Sequence, residues 1–249
     1  MTGLAPRSDV QPPMAAPEQS MVDLDWNAIA ADLNATGQAT IGPVLSVEEC
    51  NSLIEAYDQQ AFFRSRVVMA RHGFGRGEYQ YFNYPLPDLI ATLRHAFYPH
   101  LAAIANQWLE MTGRVGAYPA DHADYLRQCH EAGQGLPTPL MLKYQAGDYN
   151  CLHQDIYGDH LFPLQIAILL SDPARDFTGG EFVLTEQRPR MQSRAEVVAL
   201  AQGQAVIFPV NARPVRGTRG VYRVRMRHGV SRVRSGQRHV LGLIFHDAR

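Results

Sequence analysis

Lysine is almost absent from this chain of 249 residues: Lys143 is the only one, and arginine supplies the rest of its 23 basic side chains. Acidic residues thin out towards the C-terminus. Residues 188–249 hold 13 arginines against Glu196 and Asp247, a local balance of +11 that leaves −12 for residues 1–187. The net charge of −1 therefore conceals a field able to recruit an anionic partner. Two readings stand: an anion-binding surface, with nucleic acid one candidate, or arginines on the outer face of a sheet paired with acidic helices of the first half. Cysteine is scarce too. Cys50, Cys129 and Cys151 are odd in number and too widely spaced for a CxxC pair or a zinc knuckle, so three reduced, partly buried thiols are expected and no disulfide framework. Long apolar runs are missing: the longest, Ile166–Leu170 with its flanks, falls far short of the roughly 20 residues that cross a bilayer. Residues 1–20 lack an apolar h-region, and Pro6, Pro12, Pro13 and Pro17 suit a disordered tail better than a signal peptide. The expectation is a soluble, cytoplasmic protein without a membrane partner. Internal repeats and the strand–helix alternation of a parallel sheet are also lacking.

What is present is core-forming material, 46% hydrophobic against 19% charged residues, in a length that suits one large β-rich domain with helical additions. Asp25–Ala35 reads as a short amphipathic helix closed by Gly37, and Ser46-Val47-Glu48-Glu49 is a capping box opening a second helix to about Tyr57. Residues 61–84 combine β-favouring side chains with Gly73, Gly75 and Gly77, which predicts strands around a mobile turn. A helical pattern covers Asp88–Met111 with a break or kink at Pro99, and Pro119–Ala132 predicts a further helix ending at Gly133. After Pro137-Thr138-Pro139 the texture changes. Leu140–Tyr144, Leu164–Leu170, Glu181–Leu184, Ala205–Val210, Val221–Val230 and Val240–Phe245 are short runs spaced by Gly, Pro, Asn and Asp, the pattern of a sandwich or barrel.

Against this background one constellation carries chemistry: His153-Gln154-Asp155, then His228, then Arg238. Two imidazoles and a carboxylate form the facial ligand set of non-haem Fe(II) oxygenases, which leaves coordination positions open for co-substrate and O2. Ten His and fourteen Asp give an HxD triplet by chance roughly half a time, and a second copy does occur. In that copy, His122-Ala123-Asp124, the residues fall on a predicted helix, where positions i and i+2 point about 200° apart and cannot share an ion; it reads as a surface coincidence. His153 and Asp155 follow a Gly147-Asp148 turn on an extended segment, whose period of two puts both side chains on one face. Parity selects the third ligand. Tyr222, Val224, Met226 and His228 share the apolar face of their strand, while Arg223, Arg225 and Arg227 share the other. Arg238 shares a face with Val240, Gly242 and Ile244, so it is a buried-type arginine needing a counter-charge, and a ligand carboxylate held by a bidentate guanidinium supplies one.

The segment HGVSRVRSGQR resembles the H-x-V-x-x-V-x-x-G-x-R signature of 2-oxoglutarate and Fe(II)-dependent dioxygenases of the prolyl-4-hydroxylase type, and FTGGEF resembles the Gly-Gly-Glu strand of that superfamily. YQAGDYNCLHQD is similar to the strand carrying the first metal ligands in AlkB-type nucleic-acid demethylases, with Tyr144 nine residues before His153. Over nearly its whole length, including RVVMARHGFGRGEYQYF, LTEQRPRMQSR and RHGVSRVRSGQRH, the chain is similar to a bacterial 2-oxoglutarate oxygenase family described as acting oxidatively on damaged DNA. It departs from the AlkB pattern at Ile244, where those enzymes carry a second arginine. The resemblance implies a mainly β fold with flanking α: a double-stranded β-helix (jelly-roll) core at 137–249, with N-terminal helices and lid strands at 21–136 packed on it as one integrated domain, after a tail at 1–20. It implies His153, Asp155 and His228 as Fe(II) ligands, Arg238 on the distal carboxylate of 2-oxoglutarate, Tyr144 as a weaker contact, and O2 and ascorbate as co-substrate and reductant. The implied reaction hydroxylates a C–H bond through a ferryl oxidant and releases succinate and CO2.

Substrate choice then rests on residues 61–84 and the basic C-terminal stretch. Arg71, Phe74, Arg76, Tyr79 and Tyr81 are the candidates, able to stack a flipped base and hold its phosphates; alternatively the aromatics pack onto the barrel as ordinary strand residues. The glycines are compatible with a lid. Arg213, Arg216 and Arg219 fall in a Gly-rich loop expected either at the entrance or in solvent. Alkylated DNA or RNA is the first substrate reading, a protein or peptide hydroxylated in the prolyl manner the second, and a catalytically silent binding protein the third.

Overall fold

The structure, a computed structural model, describes residues 24–156 and 158–249; the expected N-terminal tail lies outside the described residues. In chain order the elements are α1 (Trp26–Ala35), β1 (Ala39–Ile41), α2 (Val47–Ala56), β2 (Phe63–Val68), β3 (Gly75–Arg76), β4 (Glu78–Phe82), α3 (Asp88–Met111), α4 (His122–Glu131), β5 (Leu140–Gln145), β6 (Tyr149–His153), β7 (Leu164–Leu169), β8 (Phe177–Gly179), β9 (Phe182–Gln187), β10 (Arg194–Val198), β11 (Ala205–Pro209), β12 (Ala212–Gly217), β13 (Gly220–Val230) and β14 (Val233–Leu243). The strands form two antiparallel sheets, a major one ordered β1-β11-β7-β14-β5-β4-β2 with β8 also on β14, and a minor one ordered β10-β9-β13-β6-β3 with β12 also on β13. This is the expected mainly β jelly-roll with flanking helices.

Alternation within the major sheet divides the molecule into two cores. Leu140, Leu142 and Tyr144 on β5, Gln165 and Ala167 on β7, Phe208 on β11, and Arg238, Val240 and Gly242 on β14 face the space between the sheets. Their neighbours Met141, Ile166, Ile168, Ile207, Leu241 and Leu243 pack with α1, α2, α3 and α4 into the other core. Local signals set the helices. Asp25 caps α1 through Asn27 and Ala28, and Ser46 and Glu49 close the capping box of α2. The C-terminus is tied to the helical layer by a buried ion pair, Arg94 Nη2 to Asp247 Oδ1 at 2.7 Å, with Tyr84 and His130 on the second carboxylate oxygen at 2.8 Å each.

Several sequence expectations are corrected. α3 runs unbroken through Pro99, whose ring sits on the exposed face, where a lost amide bond is left to solvent. The helix expected from Pro119 begins at His122, because Asp121 accepts from the Ala123 and Asp124 amides and caps it there. Residues 61–84 are woven into both sheets: β4 pairs with β5 and β2, while β3 pairs with β6. Of their glycines, Gly75 and Gly77 sit at close backbone approaches, whereas a Cβ at Gly73 would meet nothing within 4 Å. At Gly75, with φ +131°, a Cβ would lie 2.4 Å from the Tyr149 carbonyl oxygen, and at Gly77, with φ +114°, one would lie 2.8 Å from the Tyr144 ring. The stretch around Arg213, Arg216 and Arg219 is mostly strand β12 and its turn into β13 rather than a loop. All three cysteines are free, Cys50 and Cys129 buried and Cys151 exposed. Among the described residues no helix is long and apolar enough to cross a membrane.

Candidate metal and co-substrate site

β6 and β13 pair so that His153 and His228 stand directly opposite one another, with a register irregularity immediately beyond them. The chain leaves β6 after His153 and returns Asp155 to the same point. There His228 Nε2 lies 3.2 Å from Asp155 Oδ2, and His153 Nε2 lies 3.5 Å from Asp155 Oδ1. One donor atom from each of the three falls within 4.8 Å of the others, a spacing that one cation can bridge. His153 Nδ1 sits 2.8 Å from the Cys151 carbonyl oxygen; donating there fixes the tautomer that presents the Nε2 lone pair. Asp155 is buried and accepts from Gln165 Nε2 at 3.0 Å. Burial by itself raises its pKa, yet His228 and His153 hold the carboxyl well below the usual range. Burial pushes the His228 imidazole down. For His153 burial acts downward as well, and the Asp155 carboxylate outweighs it, leaving the pKa above its ordinary 6.5. Phe182 and Phe208 flank the His228 ring, the latter at 4.8 Å between centroids.

The three residues line a cavity of about 260 Å³ between the sheets, shared with Tyr79, Tyr81, Tyr144, Asn150 and Arg238. Arg238 on β14 is 3% exposed, and its Nε and Nη1 have no hydrogen-bond partner among the described residues. The guanidinium stands 5.8 Å from the Tyr144 and the Phe177 ring centres. Burial pushes it from 12.5 down to about 10. A buried guanidinium with two unused donors is costly unless an anion completes it, so the cavity is complementary to a carboxylate at this end and to a cation at the other. Gly180, φ +65°, lets the backbone pass beneath the Arg238 side chain: a Cβ would stand 3.0 Å from its Cδ.

The other candidates divide. Tyr79 and Tyr81 line the cavity with rings 5.4 Å apart and nearly perpendicular, and Arg64 covers the Tyr81 ring at 4.6 Å. Phe74 also lines it and remains half exposed. Arg71 and Arg76 do not; both are exposed on the surface. Arg213 is buried, ion-paired with Glu186 and bonded to the Asn34 and Ala35 carbonyls, so it is no entrance residue, while Arg216 and Arg219 are exposed. His122 is no metal candidate, as its spacing indicated, yet it is buried rather than superficial: its Nε2 meets the Phe245 carbonyl at 2.9 Å. Of the polar residues near the co-substrate end, Asn150 donates to the Tyr144 hydroxyl at 3.3 Å, whereas Ser231 is turned to Glu181. Gln165 is the residue whose role the sequence concealed. One polar residue in the apolar run of β7 was the available signal, and its partner lies ten positions upstream across a loop.

Comparison with known proteins agrees with this geometry. Residues 77–248 match the model of a family, Oxygenase-NA, described as an oxygenase catalysing oxidative methylation of damaged DNA. The chain belongs to this family. It is therefore an oxygenase. Uncharacterized proteins from two Mycobacterium tuberculosis strains, CDC 1551/Oshkosh and H37Rv, are each 51% identical over 164 residues, covering 66% of this chain and 70% of theirs. Among solved structures, a Burkholderia pseudomallei oxidoreductase of the 2-oxoglutarate-Fe(II) oxygenase family has a TM-score of 0.53 at 16% identity, covering 91% of this chain and 93% of that one. A Pseudomonas putida prolyl-4-hydroxylase has a TM-score of 0.52 at 16% identity, covering 90% and 99%. These likenesses establish the fold.

Proposed function

We propose that this oxygenase uses Fe(II) and 2-oxoglutarate to hydroxylate a C–H bond, and that its task is to remove an alkyl group oxidatively from nucleic acid. One observation carries the reading: a His/Asp/His donor set and an unsatisfied buried guanidinium share a single cavity. In this reading His153 Nε2, His228 Nε2 and the Asp155 carboxylate hold the iron. Arg238 binds the distal carboxylate of 2-oxoglutarate, with the Tyr144 ring and hydroxyl beside it. Iron held there supplies the activation of O2, which no side chain in the cavity can supply. The reaction consumes 2-oxoglutarate and O2, yields succinate and CO2, and leaves one oxygen atom on the substrate carbon.

The protein's own part is orientation and shielding. Gln165, donating to Asp155 Oδ2, keeps the carboxylate in one pose, within 4.8 Å of a donor nitrogen on each imidazole. Phe182, Phe208, Val230 and Val240 exclude water from the reacting region. At the mouth, Phe74, Tyr79 and Tyr81 offer aromatic faces and edges suited to a flat heterocycle. Arg71 and Arg76 lie outside the cavity, where they can reach phosphates. An oxygenase inserts oxygen, so at an N-methyl group the product is a hemiaminal that loses formaldehyde. Ascorbate keeps the iron reduced between turnovers. The test offers methylated oligonucleotides and proline-containing peptides side by side: succinate production stimulated by the oligonucleotide with formaldehyde released supports the reading, whereas a stable +O product on the peptide alone replaces it with the protein-hydroxylase reading.

A further inference from the structure

We infer that the outer face of the minor sheet is the docking surface for the phosphate backbone of the nucleic acid, an inference that rests on the nucleic-acid reading of the substrate. The period of two that points Val224, Met226 and His228 inward turns Arg223, Arg225 and Arg227 outward, and all three are exposed. Their cross-strand neighbours are Pro214 and Ala212 on β12 and Gln187 and Thr185 on β9, and none is acidic. By the same parity Arg216, beside Pro214 and exposed, belongs near this face.

The acids that could have neutralised these side chains are engaged elsewhere: Asp159, which lines a surface pocket with Arg223, is ion-paired with Arg249. Glu186 lies opposite Met226, hence on the inner face, and is buried by Arg213, Arg188 and Arg194. Glu196 lies opposite Leu184 and falls on that inner side as well. Arg216, Arg219, Arg223, Arg225 and Arg227 therefore form no ion pair among the described residues. The alternative drawn from the sequence, in which the outer arginines pair with acidic helices, does not hold for this stripe. Arg76 on the edge strand β3 and Arg71 just before it, also exposed and without an ion pair among the described residues, continue the basic surface to the sheet edge at which Phe74 enters the cavity lining.

Spacing favours a phosphate backbone over an acidic protein. Alternate residues of a strand stand ~7 Å apart, so the three guanidiniums span ~14 Å, a distance along which one strand of a duplex presents about four phosphates. Arginine binds phosphate oxygens in a planar, bidentate fashion. The centre of a protein interface calls for a cluster of large apolar anchors, and the cross-strand neighbours of these arginines are Thr185, Gln187, Ala212 and Pro214; the exposed Val197, opposite Val183, and the exposed Leu152, beside His153 on β6, lie off the stripe.

The experiment measures binding of labelled single-stranded and duplex oligonucleotides to the full chain across a salt series, for the wild type and for the variant carrying Arg223→Gln, Arg225→Gln and Arg227→Gln. Each phosphate contact contributes about 0.9 to the slope of log K against log salt on duplex and about 0.7 on a single strand, so the triple variant is expected to lower the slope by about 2–3. Arg127→Gln, on helix α4 and ion-paired with Asp124, is expected to leave the slope unchanged. The substituted side chains are exposed, so thermal unfolding is expected to match the wild type and separates lost binding from lost folding. Wild-type binding with an undiminished slope in the triple variant overturns the assignment of the face and leaves the substrate reading intact. Failure of the wild type to bind either oligonucleotide at low salt overturns both. Tight binding to polyglutamate with none to oligonucleotide overturns the proposal in favour of an acidic protein.

Discussion

Replacing Arg238 by methionine is expected to make the protein more stable while destroying its use of 2-oxoglutarate. The side chain is 3% exposed, its Nε and Nη1 have no hydrogen-bond partner among the described residues, and burial holds the guanidinium at about 10 instead of 12.5. At 1.36 kcal/mol per pKa unit this difference corresponds to a penalty of ~3 kcal/mol on the charged form in the folded state. Methionine keeps most of the length and apolar stem and removes the unsatisfied charge. In the absence of co-substrate the variant should gain ~2–3 kcal/mol, which for a chain of this size is an upward shift of ~5–10 °C in Tm. With 2-oxoglutarate the order changes. A ligand at one hundred times its Kd stabilises by ~2.7 kcal/mol, and the wild type loaded with a non-oxidisable divalent metal should show such a shift while Arg238→Met shows none. Losing a charge-assisted, bidentate carboxylate contact should also raise the KM for 2-oxoglutarate by about 10²–10³, from ~3–4 kcal/mol. Differential scanning calorimetry with and without 2-oxoglutarate reads both effects. A variant that is less stable than the wild type and still shifts with 2-oxoglutarate refutes the reasoning, because Arg238 would then be a structural residue with a partner of its own.

Three further outcomes are expected. Arg94→Leu strands the Asp247 carboxylate in the interior with only Tyr84 and His130 for company, and should cost ~3–5 kcal/mol by urea unfolding; a loss below ~1 kcal/mol would show that the pair contributes little. Burial holds His122 at about 3 and His239 and His246 at about 4, against an ordinary 6.5. With folded values depressed, the unfolded chain takes up protons first as pH falls, so stability is full above ~6.5 and is lost between ~6.5 and ~4, at up to ~4 kcal/mol per pH unit for the three together; urea midpoints that stay level from pH 7 to pH 5 contradict this. Gly180→Ala places a methyl against the Arg238 stem in a left-handed backbone conformation and should weaken 2-oxoglutarate binding several-fold in a competition assay, whereas Gly113→Ala, where a Cβ meets nothing within 4 Å, should not.

What was legible in the sequence was whatever a period of two encodes. On β13 the alternation separated His228 from the arginines, and on β14 it placed Arg238 with Val240 and Gly242; the structure keeps both partitions. The strands that escaped notice, β1, β10 and β12, are short, exposed along much of their length or flanked by Arg and Pro, so no apolar alternation marks them. Arg213 was misread because its partner Glu186 is 27 positions away on another strand, and only pairing through β13 brings them together. His122 was taken for a surface residue because helix periodicity says nothing about the Phe245 carbonyl that it meets. Gln165 could not be placed from the sequence, since its target depends on how the loop after β6 returns Asp155 to the sheet. Local pattern gives the face of a side chain; its partner is a property of the fold.

The central claim is that His153, Asp155 and His228 form one metal site serving a co-substrate held by Arg238. Its most direct test is succinate formed from 2-oxoglutarate by the purified chain under air with Fe(II) and ascorbate. The account predicts succinate in amounts that require added Fe(II), and none above background in Asp155→Ala or His153→Ala variants that retain the wild-type fold by circular dichroism. Succinate formation that persists undiminished in either variant would contradict it.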